Sequence, residues 1–273
     1  MCRLLAYCGP SIPLENIVIK PSHSLVIQSQ VAEEAKLAVN GDGFGLAWYS
    51  GHDQAAQTDI PQSMPALYKE IMPAWANPNL LHICRAVRAG VFLAHVRAST
   101  FGGASYQNCH PFTYGCWSFV HNGQIGGFEK LRRVLEQQLP DELFQARLGI
   151  TDSELIFLLM IANGLESTPH SACQTTVRQI ADLHQSMGIC QPLRLTFVLT
   201  DGVRLYGGRY SSDGNSPTLY LSSKLDHGGV ALASEPLDGD HKGWAMVKES
   251  TMVRIDGQDQ RKFVLAPRRL EAA

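Results

Sequence analysis

The chain is short of charge, of paired cysteines and of long apolar runs, and each shortage removes a class of function. Across 273 residues only 18% are Asp, Glu, Lys or Arg, with a formal net charge of −2. That balance gives no basic field for nucleic acid or an anionic membrane surface. The one local excess, Arg132 with Arg133 and Arg268 with Arg269, reads as a solvated helix face and a tail. No stretch approaches the roughly 20 apolar residues that span a bilayer. The start lacks a basic segment followed by an apolar run, so a cytoplasmic location is expected. Seven cysteines (2, 8, 84, 109, 116, 173, 190) are odd in number and irregular in spacing, with no CxxC pair. They read as free thiols in a reducing compartment rather than a disulfide framework. Cys109-His110 with Cys116 lacks the spacing of a tetrahedral site, so no metal or cofactor is expected. Repeats, low-complexity tracts and interdomain linkers are missing too, which predicts one domain over 1–273.

What is there is patterned for a mixed fold. Short apolar segments bounded by Gly, Pro or Asn predict strands at Leu4–Tyr7, Gly45–Tyr49, Val91–Val96 and Trp117–Val120. Helical spacing predicts Asn79–Arg88 with Gly90 as its C-cap, Phe128–Leu139 ended by Pro140, and Thr175–Met187. Thr151-Asp-Ser-Glu154 has the form of a capping box before the apolar run Leu155–Ala162. Strands then return at Leu195–Leu199, Val203–Tyr206, Leu219–Ser222, Val230–Ala233 and Met252–Ile255, while 51–65 and Ser211–Pro217 read as loops. Strands, then helices, then strands predict an α+β layered fold with antiparallel sheets.

Four segments place polar residues where a scaffold presents chemistry. Arg97 and Thr100 leave the strand Val91–Val96; a guanidinium with hydroxyls binds a carboxylate, or ties down its own loop. Asn122-Gly123 supplies a side-chain amide and a backbone N–H suited to an oxyanion, or a plain Asn-Gly β-turn. Asp152 stabilises a helix start, or also receives a substrate ammonium group. The glycine-rich Asn40–Gly45 lacks the spacing and Lys of a phosphate loop and reads as close backbone packing. Cys2, directly behind Met1, is a nucleophile if methionine removal frees its α-amine as general base; otherwise it is a small buried hydrophobe. Taken together, Cys2, Arg97 with Thr100, Asn122-Gly123 and Asp152 fit an L-glutamyl end whose side-chain amide is attacked.

With that set assembled, the chain resembles the class II glutamine amidotransferases, whose nucleophile is an N-terminal cysteine. MCRLLAYCGP, NGDGFGLAWY, PAWANPNL, AHVRAST, NCHPF, FVHNGQI, TDSE and ASEPL carry the likeness, which covers nearly the whole chain. The resemblance implies a four-layer αββα sandwich of two antiparallel sheets, the N-terminal nucleophile hydrolase fold. It implies Cys2 as nucleophile with its freed amine as base, and Asn122 with Gly123 as oxyanion hole. It implies Arg97 and Thr100 as the clamp on the substrate α-carboxylate and Asp152 as its ammonium partner. Two departures stand out. Phe101 replaces the histidine of many synthase-linked members, and this length leaves no room for their synthase domain. The small members include γ-glutamyl hydrolases of glutathione degradation and ergothioneine synthesis, and HVRAST and NCHPF are more similar to the former.

The expected activity is hydrolysis of a γ-glutamyl amide, in glutamine or a γ-glutamyl peptide or conjugate, through a Cys2 thioester. A glutaminase subunit passing ammonia to a separate synthetase and a non-catalytic γ-glutamyl-binding scaffold are the rival expectations; besides its small-molecule substrate, the expected partner is a peptidase or synthetase subunit. No cysteine flanking pattern supports a papain-like hydrolase.

Overall fold

The computed structural model describes residues 2–35, 39–50, 64–99, 103, 105–238, 241–257 and 259–265. Among these, two antiparallel sheets lie face to face. The first comprises β1 (Arg3–Pro13), β2 (Phe44–Tyr49), β3 (Ala66–Glu70), β4 (Arg88–Val96), β9 (Tyr220–Ser222), β10 (Val230–Ala233) and β11 (Trp244–Met246), in the order β11-β9-β10-β1-β4-β2-β3. The second comprises β5 (Phe112–Tyr114), β6 (Trp117–Gln124), β7 (Arg194–Thr200), β8 (Leu205–Ser211), β12 (Thr251–Asp256) and β13 (Asp259–Val264), in the order β13-β12-β8-β7-β6-β5.

Three apolar layers hold four layers of structure together. Leu4, Ala6, Val91, Leu93, Val120 and Val198 fill the gap between the sheets. The alternate residues of the first sheet, such as Leu5, Tyr7, Phe92 and Ala94, pack outward on α1 (Glu15–Val18), α2 (Leu25–Gln30) and α3 (Pro78–Ala86). The outer face of the second sheet, led by Phe119 and Phe197, packs on α4 (Phe128–Glu136), α5 (Asp141–Ala146), α6 (Asp152–Ala162) and α7 (Pro169–Ser186). The αββα sandwich is therefore present. Helix α6 is apolar on every side because Leu155–Met160 are all buried between β6 and the helices α4 and α7. No helix among the described residues is long and apolar enough to cross a membrane.

Several local expectations are corrected. β1 runs on past Gly9-Pro10, through an irregularity between Cys8 and Ile12, to Pro13. Helix α3 begins at Pro78, N-capped by the Asn77 side chain, and ends at Ala86. Gly90 then lies inside β4 rather than capping a helix. Helix α4 ends at Glu136, and Pro140 is the N-cap residue of α5. Thr151 does cap α6, its Oγ1 accepting from the Glu154 N–H at 3.2 Å. The Glu154 carboxylate does not close a capping box; it accepts from the amides of Leu148 and Gly149 at 3.0 and 2.7 Å.

Candidate active site

Strand alternation decides which side chains enter the gap between the sheets. On β1, Leu4, Ala6 and Cys8 line that gap, so Cys2 points the same way. Leu4 pairs with His95 and Arg3 with Val96, which sets Cys2 against Arg97 beyond the last rung. On β6, Val120 lines the gap and Asn122 follows two residues later. The same end of the sandwich thus receives Cys2 and Arg97 from one sheet and Asn122 from the other. His95 Nε2, 3.1 Å from the His121 carbonyl oxygen, bridges the sheets there.

Cys2 is half-buried, and its Sγ accepts from the Ala98 N–H at 3.4 Å. Burial raises the thiol above its ordinary pKa, opposed by that backbone hydrogen bond. A neutral thiol of this kind needs a nearby base to become a nucleophile. Arg97 is 4% exposed and donates from Nη2 to Ser99 Oγ at 3.1 Å and from Nη1 to the Gly103 carbonyl at 3.3 Å. The glycine-rich segment runs beside it: Arg97 N–H reaches Gly43 O at 2.8 Å, and Asp42 N–H reaches Arg97 O at 2.9 Å. Asp42 Oδ2 accepts from the Ser99 N–H at 2.7 Å. A Cβ at Gly45, in β2, would lie 2.2 Å from the His110 carbonyl, so backbone packs on backbone at that glycine. Thr100 and Phe101 lie outside the described residues.

Asn122 and Gly123 sit inside β6, paired with Thr196 and Leu195, so the β-turn reading is wrong. Long-range pairing overrides the local Asn-Gly preference. The Asn122 side chain is fully buried, yet neither its Oδ1 nor its Nδ2 has a partner among the described residues. A buried amide left unmatched costs about 1–3 kcal/mol per group, a cost that native cores avoid without a compensating use. At Gly123 a Cβ would meet the Arg194 carbonyl at 2.1 Å, so no side chain fits. Asp152, in the first turn of α6, accepts from the Ile125 N–H through Oδ2 at 2.8 Å and from Ser153 Oγ through Oδ1 at 3.3 Å. Its carboxylate is therefore fastened just past the Asn122-Gly123 segment.

Two groups had no signal in the sequence strong enough to single them out. Arg3, fully buried, forms an ion pair with Glu235 at 2.9 Å. The Glu235 carboxylate also contacts His23 Nε2 at 2.7 Å and accepts from the amides of Glu33 and Glu34, each at 3.0 Å. Next to it, Leu4 N–H donates to Ser234 Oγ at 3.0 Å. The strand that begins behind Cys2 is thus pinned along one edge by Ala233, Ser234 and Glu235, and along the other by β4. The second group is the buried trio His95, His110 and His121, kept neutral by burial. Among the described residues no group of three or more His, Cys, Asp or Glu is placed to hold a metal ion.

Comparison with known proteins is consistent with this geometry. The family model described as class-II glutamine amidotransferases matches residues 1–253. The chain is 31% identical to a probable glutamine amidotransferase, DUG3, of Saccharomyces cerevisiae, over 94% of this chain and 82% of that protein. It is 26% identical to the gamma-glutamyl-hercynylcysteine sulfoxide hydrolase of Mycobacterium tuberculosis, covering 93% of each. Among solved structures, a glutamine aminotransferase class-II domain protein from Silicibacter pomeroyi superposes with a TM-score of 0.74 at 33% identity, over 97% of this chain and 100% of that one. An allosteric regulatory enzyme of purine biosynthesis shares the fold at 17% identity and a TM-score of 0.61, over 97% of this chain and 49% of its own.

Proposed function

The chain belongs to the class II glutamine amidotransferases, and on that premise we propose that it hydrolyses a γ-glutamyl amide bond and releases glutamate. The substrate is glutamine or a γ-glutamyl peptide or conjugate, in keeping with the activity for which the mycobacterial hydrolase is named. The observation that carries the reading is the buried, unpartnered Asn122 amide, on the sheet opposite Cys2 at one end of the gap. A donor held out of water and left unmatched in the resting protein is suited to an oxygen that becomes negative only during reaction.

In this reading Met1 is removed and the Cys2 α-amine takes the thiol proton. The sulfur attacks the γ-carbonyl carbon, and Asn122 Nδ2 with the Gly123 N–H holds the oxyanion. The protonated amine then delivers its proton to the leaving nitrogen as the C–N bond breaks. Water attacks the resulting thioester, gives a proton back through the amine to sulfur, and frees glutamate. Arg97 and Thr100 hold the α-carboxylate, and Asp152 the α-ammonium group. The reading treats 1–273 as one domain and places it in the cytoplasm, where seven free thiols persist.

The test is glutamate release from glutamine, glutathione and other γ-glutamyl compounds. Turnover of γ-glutamyl peptides supports a hydrolase. Strong preference for glutamine, with an ATP-dependent ligase co-purifying, supports an ammonia-delivering subunit instead. Binding without release marks a scaffold and refutes the enzymatic reading.

A further inference from the structure

Three buried histidines surround the backbone that carries Asn122, and the mechanism above uses none of them. His121, directly before Asn122, sits on β6 at a point where the neighbouring strand has ended. β5 pairs with β6 only through Phe112–Phe119, Thr113–Ser118 and Tyr114–Trp117. Residues 110 and 121 are opposite one another if that register continues. In a strand the N–H and C=O of one residue point to the same edge. Both groups of His121 would therefore face a bare edge, away from β7.

They do not stay bare. The His121 N–H donates to His110 Nδ1 at 3.1 Å. The His121 carbonyl oxygen lies 3.1 Å from His95 Nε2. The two imidazoles are stacked on each other, centroids 4.0 Å apart and planes 17° apart. Imidazoles thus stand where a further strand would have supplied a carbonyl and an amide. The bonds also fix both tautomers. His110 Nδ1 accepts, so its proton is on Nε2; His95 Nε2 faces a carbonyl, so its proton is on Nε2 as well. All three histidines are fully or almost fully buried.

We propose that the stacked pair His95 and His110 positions the oxyanion donor: His110 grips the 120–121 peptide through the His121 N–H and His95 grips the 121–122 peptide through the His121 carbonyl, so the two successive peptide planes that lead into Asn122 are fixed. This rests on the reading of Asn122 given above. His95 and His110 are positioning residues, since neither is argued to touch substrate. The backbone on either side of the His121 Cα is thus held from the first sheet by His95 of β4 and from the approach to β5 by His110. The link also runs onward: His121 Nδ1 lies 2.9 Å from Ser153 Oγ, which donates to Asp152 Oδ1 at 3.3 Å. The oxyanion donor and the ammonium partner therefore share one hydrogen-bonded support.

The two bonds use different ring atoms, and that makes the test specific. An Asn side chain places its Oδ1 where histidine has Nδ1, and a Gln places its Nε2 where histidine has Nε2. The experiment compares His110→Asn with His110→Gln, and His95→Gln with His95→Asn, in the processed full-length chain. Steady-state glutamate release is read alongside thermal unfolding, with wild type and Cys2→Ala assayed in parallel. The expectation is that His110→Asn and His95→Gln stay near wild type. The swapped pair loses about 10- to 100-fold in kcat with KM within about twofold, the scale of a misplaced donor. Equal kcat for Asn and Gln at either position, or a loss carried by KM, overturns the proposal. An inactive wild-type chain instead overturns the functional reading on which it rests.

Discussion

Replacing Glu235 by Ala removes the most heavily engaged carboxylate near the N-terminal strand, and its effect follows from the contacts. Arg3 is fully buried and Glu235 is 2% exposed at the side chain, 2.9 Å apart. Among the described residues Arg3 Nε and Nη2 already lack partners, so without Glu235 the buried guanidinium keeps only a 3.5 Å contact with the Glu34 carbonyl and the weaker attraction of the Glu34 carboxylate. The same substitution strips the acceptor from the Glu33 and Glu34 amides and the partner from His23. Breaking a buried pair from one side costs about 3–5 kcal/mol, against a total stability of about 5–15 kcal/mol for a domain. Urea unfolding of Glu235→Ala is expected to move the midpoint down by that energy with an unchanged slope. Glu235→Gln keeps one acceptor oxygen and the shape, so its loss is smaller. A loss below about 1 kcal/mol in Glu235→Ala refutes the argument. It would mean that water reaches Arg3 or that the network is not held as described.

Other outcomes follow from single contacts. Gly123→Ala drives a Cβ to 2.1 Å from the Arg194 carbonyl; the β6–β7 ladder shifts, stability falls by about 1–3 kcal/mol and kcat collapses, measurable by denaturation and glutamate release together. Asp152→Asn removes the charge proposed to meet the substrate ammonium, so KM rises roughly 10- to 100-fold; an unchanged KM rejects that role. Burial holds His95 down to about 3, below its ordinary 6.5, and lowers His110 as well. The unfolded chain therefore takes up protons near pH 6.5 that the folded chain refuses, and stability falls as the pH drops below that value. The loss from His95 alone is about 2 kcal/mol between pH 6.5 and pH 5. His95→Gln flattens that part of the unfolding profile.

The α+β architecture was legible because its signals are local. Thr151 caps α6, and alternation marks the central strands. Three of the misreadings share one cause: Gly9-Pro10, Gly90 and Asn122-Gly123 carry turn chemistry, yet the strands continue past them, irregularly at Gly9-Pro10. Edge strands such as β3, β5 and β13 were silent, being short or poor in alternation. At the site, residue types and their order pointed to Cys2, Arg97, Asn122 and Asp152. The supports did not show, because Arg3–Glu235 joins residues 232 apart in sequence. The clamp on His121 joins strands from different sheets. Contacts of that range have no period or spacing to betray them.

The central claim is that Cys2, with a free α-amine, carries the γ-glutamyl group as a thioester. Intact-mass analysis during turnover tests it most directly, on the chain with Met1 removed, on a chain with a blocked N-terminus and on Cys2→Ala. The account predicts a γ-glutamyl adduct and glutamate release from the processed chain alone. Turnover by the blocked chain would remove the amine from the mechanism, and turnover by Cys2→Ala would contradict the account outright.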